Sequence, residues 1–396
     1  MNRKKTAVSL MLVATLAAAM VAGSAPNAVG QQDAPADRTL KFDVMPLSQA
    51  ERLNNQKLSL TPGAKKSLKT WTYSIKSSRK GSAGTTYTGV MVGSDPFITN
   101  GTTTTTVYVV PLIVEIGKEK FDPTVPDKAC YGGVTPLNAL KISPMVLGWN
   151  DFKLNGVDVG ATQYSDAFQR ANFWKAVKAN GGTYHNLLNY VFLPAETITP
   201  DPASSVVYNP KGLCTPVYGG IEKGYFDVVA KLFLIPSLAS KGVNPSNLVT
   251  FMLYNTTLYD TKPKHCCIGG YHGAYGTPAQ TYAPFQYDTA GFFTGTSGLD
   301  VSVMSHEINE WQDDPFGNNL VPLWGHTGQE SLCQANLEVG DPLTGTALKP
   351  IPFFGSLNYH VQELAFFSWF FGAPSLGSGG KYSDNGTLKA PQGACQ

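Results

Sequence analysis

Charge is scarce in this 396-residue chain: Asp, Glu, Lys and Arg make up 15% of it, and the formal balance is only +2. Arg3, Lys4 and Lys5 sit at the very start, so beyond them the balance moves to about −1. A chain so close to neutral has no electrostatic case for nucleic acid, because that affinity rests on basic side chains neutralising phosphates. After the N-terminal apolar run no second one approaches the roughly 20 residues that span a bilayer. No internal repeat is evident, which sets solenoids and propellers aside. The six cysteines contain no C-x2-C pair, which counts against a four-thiolate zinc site.

What is present begins with MNRKKTAVSLMLVATLAAAMVAGSAPNA, a basic stretch, an apolar run and then small residues. This pattern predicts a signal peptide over residues 1–25 and a secreted mature protein, extracellular or periplasmic, with no membrane association after cleavage. Residues 26–65 read as a polar N-terminal arm, and residues 66–396 as a single elaborated domain. Cys130, Cys214, Cys266, Cys267, Cys333 and Cys395 all lie beyond the leader, and an even count in an exported chain predicts disulfides and no free thiol. The simplest pairing by order joins Cys130 to Cys214 and Cys333 to Cys395. It leaves Cys266 and Cys267 as a vicinal bridge, with two separate partners as the alternative.

Within the arm, LSQAERLNNQKL is weakly helical. WTYSIKSS, TTYTGVMVG and TTTTTVYVVPLIVEIG are rich in Thr, Val, Ile and Tyr and predict strands, with a bulge or an edge at Pro111. YSDAFQRANFWKAVKANGG predicts a helix capped by Ser165 or Asp166 and ended by Gly181 and Gly182. YFDVVAKLFLIP and NLVTFMLYN read as central strands. HCCIGGYHGAYGTPAQTYAPF reads as a loop, the chain beyond Pro315 as irregular, and YHVQELAFFSWFFG as a closing helix. Strands before helices without strict alternation indicate α+β.

The stretch VSVMSHEINEWQDDPFGNN carries the chemistry. As a helix stopped by Pro315 it turns His306, Glu310, Asp313, Asp314 and Glu307 to one side, and Val301, Met304, Ile308 and Trp311 to the other. The apolar face predicts a packed helix whose polar face looks to solvent or into a cleft. His306 and Glu310, one turn apart, can converge on one metal ion. Glu307, turned aside, is placed to take a proton from water at that ion. The plain alternative is an acidic solvated face, and chance alone would put acids at both offsets from some histidine in about 3% of such chains.

A catalytic zinc site needs a third protein ligand. Glu338 and Asp341 in NLEVGDPLTG are the nearest candidates, with His272 and His326 weaker ones that read as loop residues. His360, at the start of the expected last helix, is a candidate donor to a reaction intermediate.

The order GGYH, then SHEINEWQDDP, then LEVGD resembles secreted bacterial proteins with an H-E-x-x-E helix followed by an acidic E-[IV]-G-D segment. These in turn are similar to the plant Exordium, or phosphate-induced, proteins. The segments GTTTTTVYVVPLIVEI and DAFQRANFW also resemble the bacterial group, and the similarity spans about residues 70 to 371. It implies a metallopeptidase-like protein and marks His306, Glu307, Glu310, Glu338 and Asp341. The plant relatives are extracellular growth-related proteins without an established activity. Glu310 stands where the commoner peptidase helix has a second histidine.

The expectation is therefore α+β: a mixed β-sheet core with a zincin-like active-site helix, loop-rich and disulfide-stapled. The expected function is a secreted zinc hydrolase acting on extracellular protein or peptide. The alternative is a non-catalytic binding protein with a structural ion, calcium among the candidates, or with no metal.

Overall fold

The computed structural model describes residues 29–59, 67–294, 298–353, 357–392 and 395. The leader expected over residues 1–25 lies outside them. Among the described residues no helix is long and apolar enough to cross a membrane. The architecture is α+β, a twelve-stranded mixed sheet with smaller two-stranded ribbons and short helices around it.

Inside the sheet lies Leu248–Tyr254, flanked in parallel by Thr102–Ile116 and Gln280–Tyr287. Residues 248–253 are buried without interruption. Parallel strands covered on both faces need such an unbroken apolar run. Thr102–Ile116 alternates over its threonine-rich half and is mostly buried over the rest. On its far edge His185–Phe192 pairs as far as Val109 and Glu196–Ile198 takes over at Leu112. Pro111 thus falls where one neighbour gives way to the next, a position that tolerates a residue without an N–H.

Cys266–Tyr275 runs antiparallel to Gln280–Tyr287, and Lys41–Met45 of the arm pairs in parallel along its other edge. The helix Ser302–Asp313, hereafter the site helix, packs on both Cys266–Tyr275 and Gln280–Tyr287. The arm's weakly helical stretch is a helix over Gln49–Ser59.

Four expectations about elements are corrected. YFDVVAKLFLIP is helical over Lys223–Val229 and Ile235–Ser237 with a π turn, Ala230–Leu234, between them. Phe226, Ala230 and Leu234 recur every fourth residue on the buried side, and Glu222 caps the start by accepting from the N–H groups of Gly224 and Tyr225. The loop expected over HCCIGGYHGAYGTPAQTYAPF is a pair of antiparallel strands, Cys266–Tyr275 and Gln280–Tyr287. The glycines of the first admit close neighbours: a Cβ on Gly269 would come within 2.6 Å of Leu40, and one on Gly273 within 2.7 Å of the Met45 carbonyl. Beyond the site helix, Leu320–Thr327 and Glu330–Asn336 form a hairpin where irregular chain was expected. The closing helix is confined to Phe367–Phe371, because upstream N–H groups bond side chains: His360 to Asp300, Gln362 to Ser305 and Leu364 to Asp384.

The helix expected from Ser165 runs Tyr164–Asn172 and resumes as Trp174–Ala179. Asp166 does not cap it. Its buried carboxylate accepts from Thr162 Oγ1, the Asn186 N–H and His185 Nδ1, tying helix to sheet.

Disulfides join Cys130 to Cys214, Cys266 to Cys267 and Cys333 to Cys395, and no free cysteine remains. The bridge between Cys130 and Cys214 closes a loop of 84 residues. Replacing both by serine should cost about 4 kcal/mol, mostly by freeing the unfolded chain. Urea unfolding under non-reducing conditions measures this, and a loss below about 1 kcal/mol would count against it.

Candidate metal centre

All twelve residues of the site helix are buried, His306 and Glu307 completely. The acidic face therefore looks neither to solvent nor to an open cleft but into the interior, and the reading of His306 as a surface residue is excluded. The helix brings His306, Glu307 and Glu310 against the strand that carries His272 and the turn that carries Glu338 and Asp341. That turn comes close because residue 340 is glycine: a Cβ there would lie 2.3 Å from the His306 ring.

Each histidine is oriented by a bond on its far nitrogen. Gln362 donates from Nε2 to the Gly340 carbonyl at 2.7 Å, which leaves its Oε1 to accept from His306 Nδ1 at 3.1 Å. With the proton on Nδ1, the Nε2 lone pair faces Glu310 Oε2 at 3.0 Å and Asp341 Oδ1 at 3.5 Å. His272 Nε2 donates to the Asp314 carbonyl at 3.1 Å. Its Nδ1 then faces Glu307 at 3.5 Å, Glu310 at 3.6 Å and Glu338 at 3.9 Å. Both inward nitrogens, both oxygens of Glu307 and Oε1 of Glu338 are buried without a hydrogen-bond partner.

Glu310 is the shared member. Its Oε1 accepts from the Gly340 N–H at 2.9 Å, and its Oε2 points at both imidazoles. The ligand atoms gather into two groups, His306 with Glu310 and Asp341, and His272 with Glu307 and Glu310, each within 4.8 Å. Ligands about 2.0–2.1 Å from a tetrahedral ion stand roughly 3.3–3.4 Å from each other. The separations of 3.0 to 3.6 Å from Glu310 to the imidazoles and from His306 to Asp341 bracket that spacing.

The charges do not balance. Glu307, Glu310, Glu338 and Asp341 are four buried carboxylates, and among the described residues their ion-pair partners are only the two histidines. Buried charge at this density needs a cation or protons. By contrast the neighbouring acids are satisfied within the protein. Asp313 accepts from Gln169 and Asn172, and Asp314 from the N–H groups of Asn318 and Asn319.

Proton affinities reflect the same frustration. Burial, followed by the charge of Glu310, holds Glu338 and Asp341 well above the ordinary carboxylate range. Burial pushes Glu307 up to about 7. In Glu310 burial also acts upward, but His306 and His272 outweigh it and bring the carboxyl down. Burial lowers and the carboxylates, Glu338 foremost, raise the affinity of His272, which ends well above the ordinary histidine value.

Metal loading should therefore release protons, and affinity should climb with pH, because a cation needs the carboxylates ionised. Between the ordinary 4.5 and about 7, Glu307 binds more protons folded than unfolded. Without a cation, stability then falls as pH rises across that window, so the gain in melting temperature on loading should widen. Calorimetry of zinc binding in buffers of different ionisation enthalpy, from pH 5.5 to 7.5, checks the sign. Proton uptake on loading would contradict it.

The structure thus brings together His306, Glu307, Glu310, Glu338 and Asp341. His360 belongs to neither group of ligand atoms among the described residues; it donates its backbone N–H to Asp300 and pairs its Nδ1 with the same carboxylate at 2.6 Å. His326 lies instead beside Cys333 and Cys395, whose sulfurs are spent on each other. Sequence reasoning undervalued His272 and missed Gln362. The glycines around His272 were the available signal, since Gly270 leaves room for Glu307, to which a Cβ would come within 2.8 Å. Comparison of the chain with protein-family models, curated proteins and solved structures finds no match.

Proposed function

We propose that the chain is a secreted zinc-dependent hydrolase, with peptide bonds as the favoured substrate and a zincin-like helix at its centre. The observation that carries this reading is the convergence of two imidazole nitrogens, each bonded on its far side, on four buried carboxylates whose ion-pair partners among the described residues are those histidines alone. His306 Nε2, Glu310 Oε2 and Asp341 Oδ1 would hold the ion, with Glu338 the alternative acid. Nitrogen donors from histidine favour zinc over calcium, which takes oxygen ligands. The leader and the three disulfides support an exported protein in an oxidising setting.

When bound, zinc polarises the scissile carbonyl and makes an adjacent water more acidic. Glu307 has both carboxylate oxygens free for the proton work. It takes a proton from the attacking water, whose oxygen bonds to the carbonyl carbon. The C–N bond then breaks, and the proton passes to the leaving amine. His272, 3.5 Å from Glu307 and bonded on its far side to Asp314, lies beside that carboxylate. The test is hydrolysis of a denatured-protein or peptide-library substrate by wild type and Glu307→Gln, each assayed for metal.

One observation favours a second reading. No residue among His272, His306, Glu307, Glu310, Glu338 and Asp341 is more than 5% exposed. A closed ion site without turnover fits that burial, and loaded wild type that cleaves nothing would support it.

Gln362→Leu should weaken zinc by about 10- to 100-fold, because the fixed tautomer and ring orientation of His306 depend on that amide. Competition with a chelator of known affinity measures it. Unchanged affinity would remove Gln362 from the centre.

A further inference from the structure

The burial of the centre is partly the work of the chain's own N-terminal arm. Lys41–Met45 lies parallel on Cys266–Tyr275, with Phe42 opposite Gly270 and Val44 opposite His272. It occupies the edge where the neighbouring strand Thr256–Tyr259 stops pairing, at Ile268. The Phe42 ring stacks on His306, centroids 3.4 Å apart and 9° from parallel. Gln329 reads both polar groups of that residue: its Oε1 accepts from the Phe42 N–H at 2.6 Å, and its Nε2 reaches the Phe42 carbonyl at 3.3 Å. The same Nε2 donates to Asp341 at 2.6 Å.

These contacts have the form of peptide recognition. A sheet edge and an amide hold main-chain groups, which any sequence offers, and one flat apolar side chain covers the metal-side imidazole. We infer that the edge of Cys266–Tyr275 from Ile268 to Gly273 is the docking edge for an extended polypeptide with a large apolar residue over His306. The arm segment Lys41–Met45 is its built-in occupant, and it has to leave before a substrate can reach Glu307. This inference rests on the hydrolase reading for its chemistry but not for its binding. The Asp43 ion pair with Lys223, and the bonds of Glu51 and Asn55 to Gly276, anchor the arm within that edge and just beyond it. The arm joins the rest of the chain only through residues 60–66.

The experiment uses the whole chain with a protease recognition sequence inserted between Gly63 and Ala64, folded first and cut afterwards. The probe is a fluorescent peptide of residues 36–59. The cut chain should exchange its arm for the probe, and the uncut chain should take up at least about tenfold less because its tethered arm acts at high effective concentration. A probe carrying Phe42→Ala should bind at least about tenfold more weakly. No uptake by the cut chain, or equal uptake of both probes, would overturn the inference. Should cutting unfold the chain, Gln329→Ala in the uncut protein decides. Amide exchange over residues 41–45 should speed up while that over residues 248–254 stays unchanged, and unaltered arm exchange would overturn the inference. Uptake of probe by a zinc-loaded cut chain that hydrolyses no peptide would sink the hydrolase reading and leave the docking edge standing.

Discussion

Glu307→Gln should keep its zinc and its melting temperature and lose a factor of about 10² to 10⁴ in peptide hydrolysis, the usual cost of removing a general base. The substitution preserves shape, which matters where a Cβ on Gly270 would already touch the Glu307 side chain at 2.8 Å. It removes the only proton acceptor of the site helix whose two oxygens are both without a partner. Burial pushes Glu307 up to about 7, so wild-type kcat/KM should fall on the acid side as the carboxylate takes a proton. Bound zinc favours the ionised form and moves that limb to lower pH. In Glu307→Gln the residual rate should lack the limb. If the variant cleaves as fast as wild type while holding the same zinc, the proton acceptor is elsewhere.

Glu310→Ala should abolish stoichiometric zinc binding, because Glu310 belongs to both groups of ligand atoms. The loss should exceed the 10- to 100-fold or so that removal of an outer partner costs. In a thermal scan wild type should gain about 4 kcal/mol at a free zinc concentration some 1,000 times its dissociation constant. Glu310→Ala should gain nothing under the same conditions. His306→Ala should behave similarly, and His360→Ala, whose partner is Asp300, should keep its zinc. A zinc-induced shift equal in wild type and Glu310→Ala would place the ion elsewhere.

The site helix was legible in the sequence because its periodicity separates Met304, Ile308 and Trp311 from His306 and Glu310 within a dozen residues. The following acids were legible because they arrive soon after in a glycine-containing turn. His272 was not legible as a partner. It reaches the helix from an adjacent strand 34 positions upstream, a relation set by sheet topology, and its glycine-rich surroundings look like a loop when read locally. The glycines are there because Leu40, Met45 and Glu307 approach too closely for a Cβ. The same blindness to tertiary context affected YFDVVAKLFLIP, where one buried stripe at helical spacing and three exposed apolar residues, Val228, Leu232 and Phe233, together look like a continuous strand. Around Gln362, hydrogen bonds from side chains replace those of a helix, and no local propensity records them. The simplest cysteine pairing by order is the one present, each bridge closing on the next cysteine along, while order alone left separate partners open for Cys266 and Cys267.

The most direct measurement is elemental analysis of the chain, purified without chelator and kept oxidised, alongside Glu310→Ala prepared identically. A metal centre built on Glu310 should give close to stoichiometric zinc in wild type and background levels in the variant. No bound metal in wild type even after incubation with zinc at neutral pH, or equal zinc in the two proteins, would contradict it.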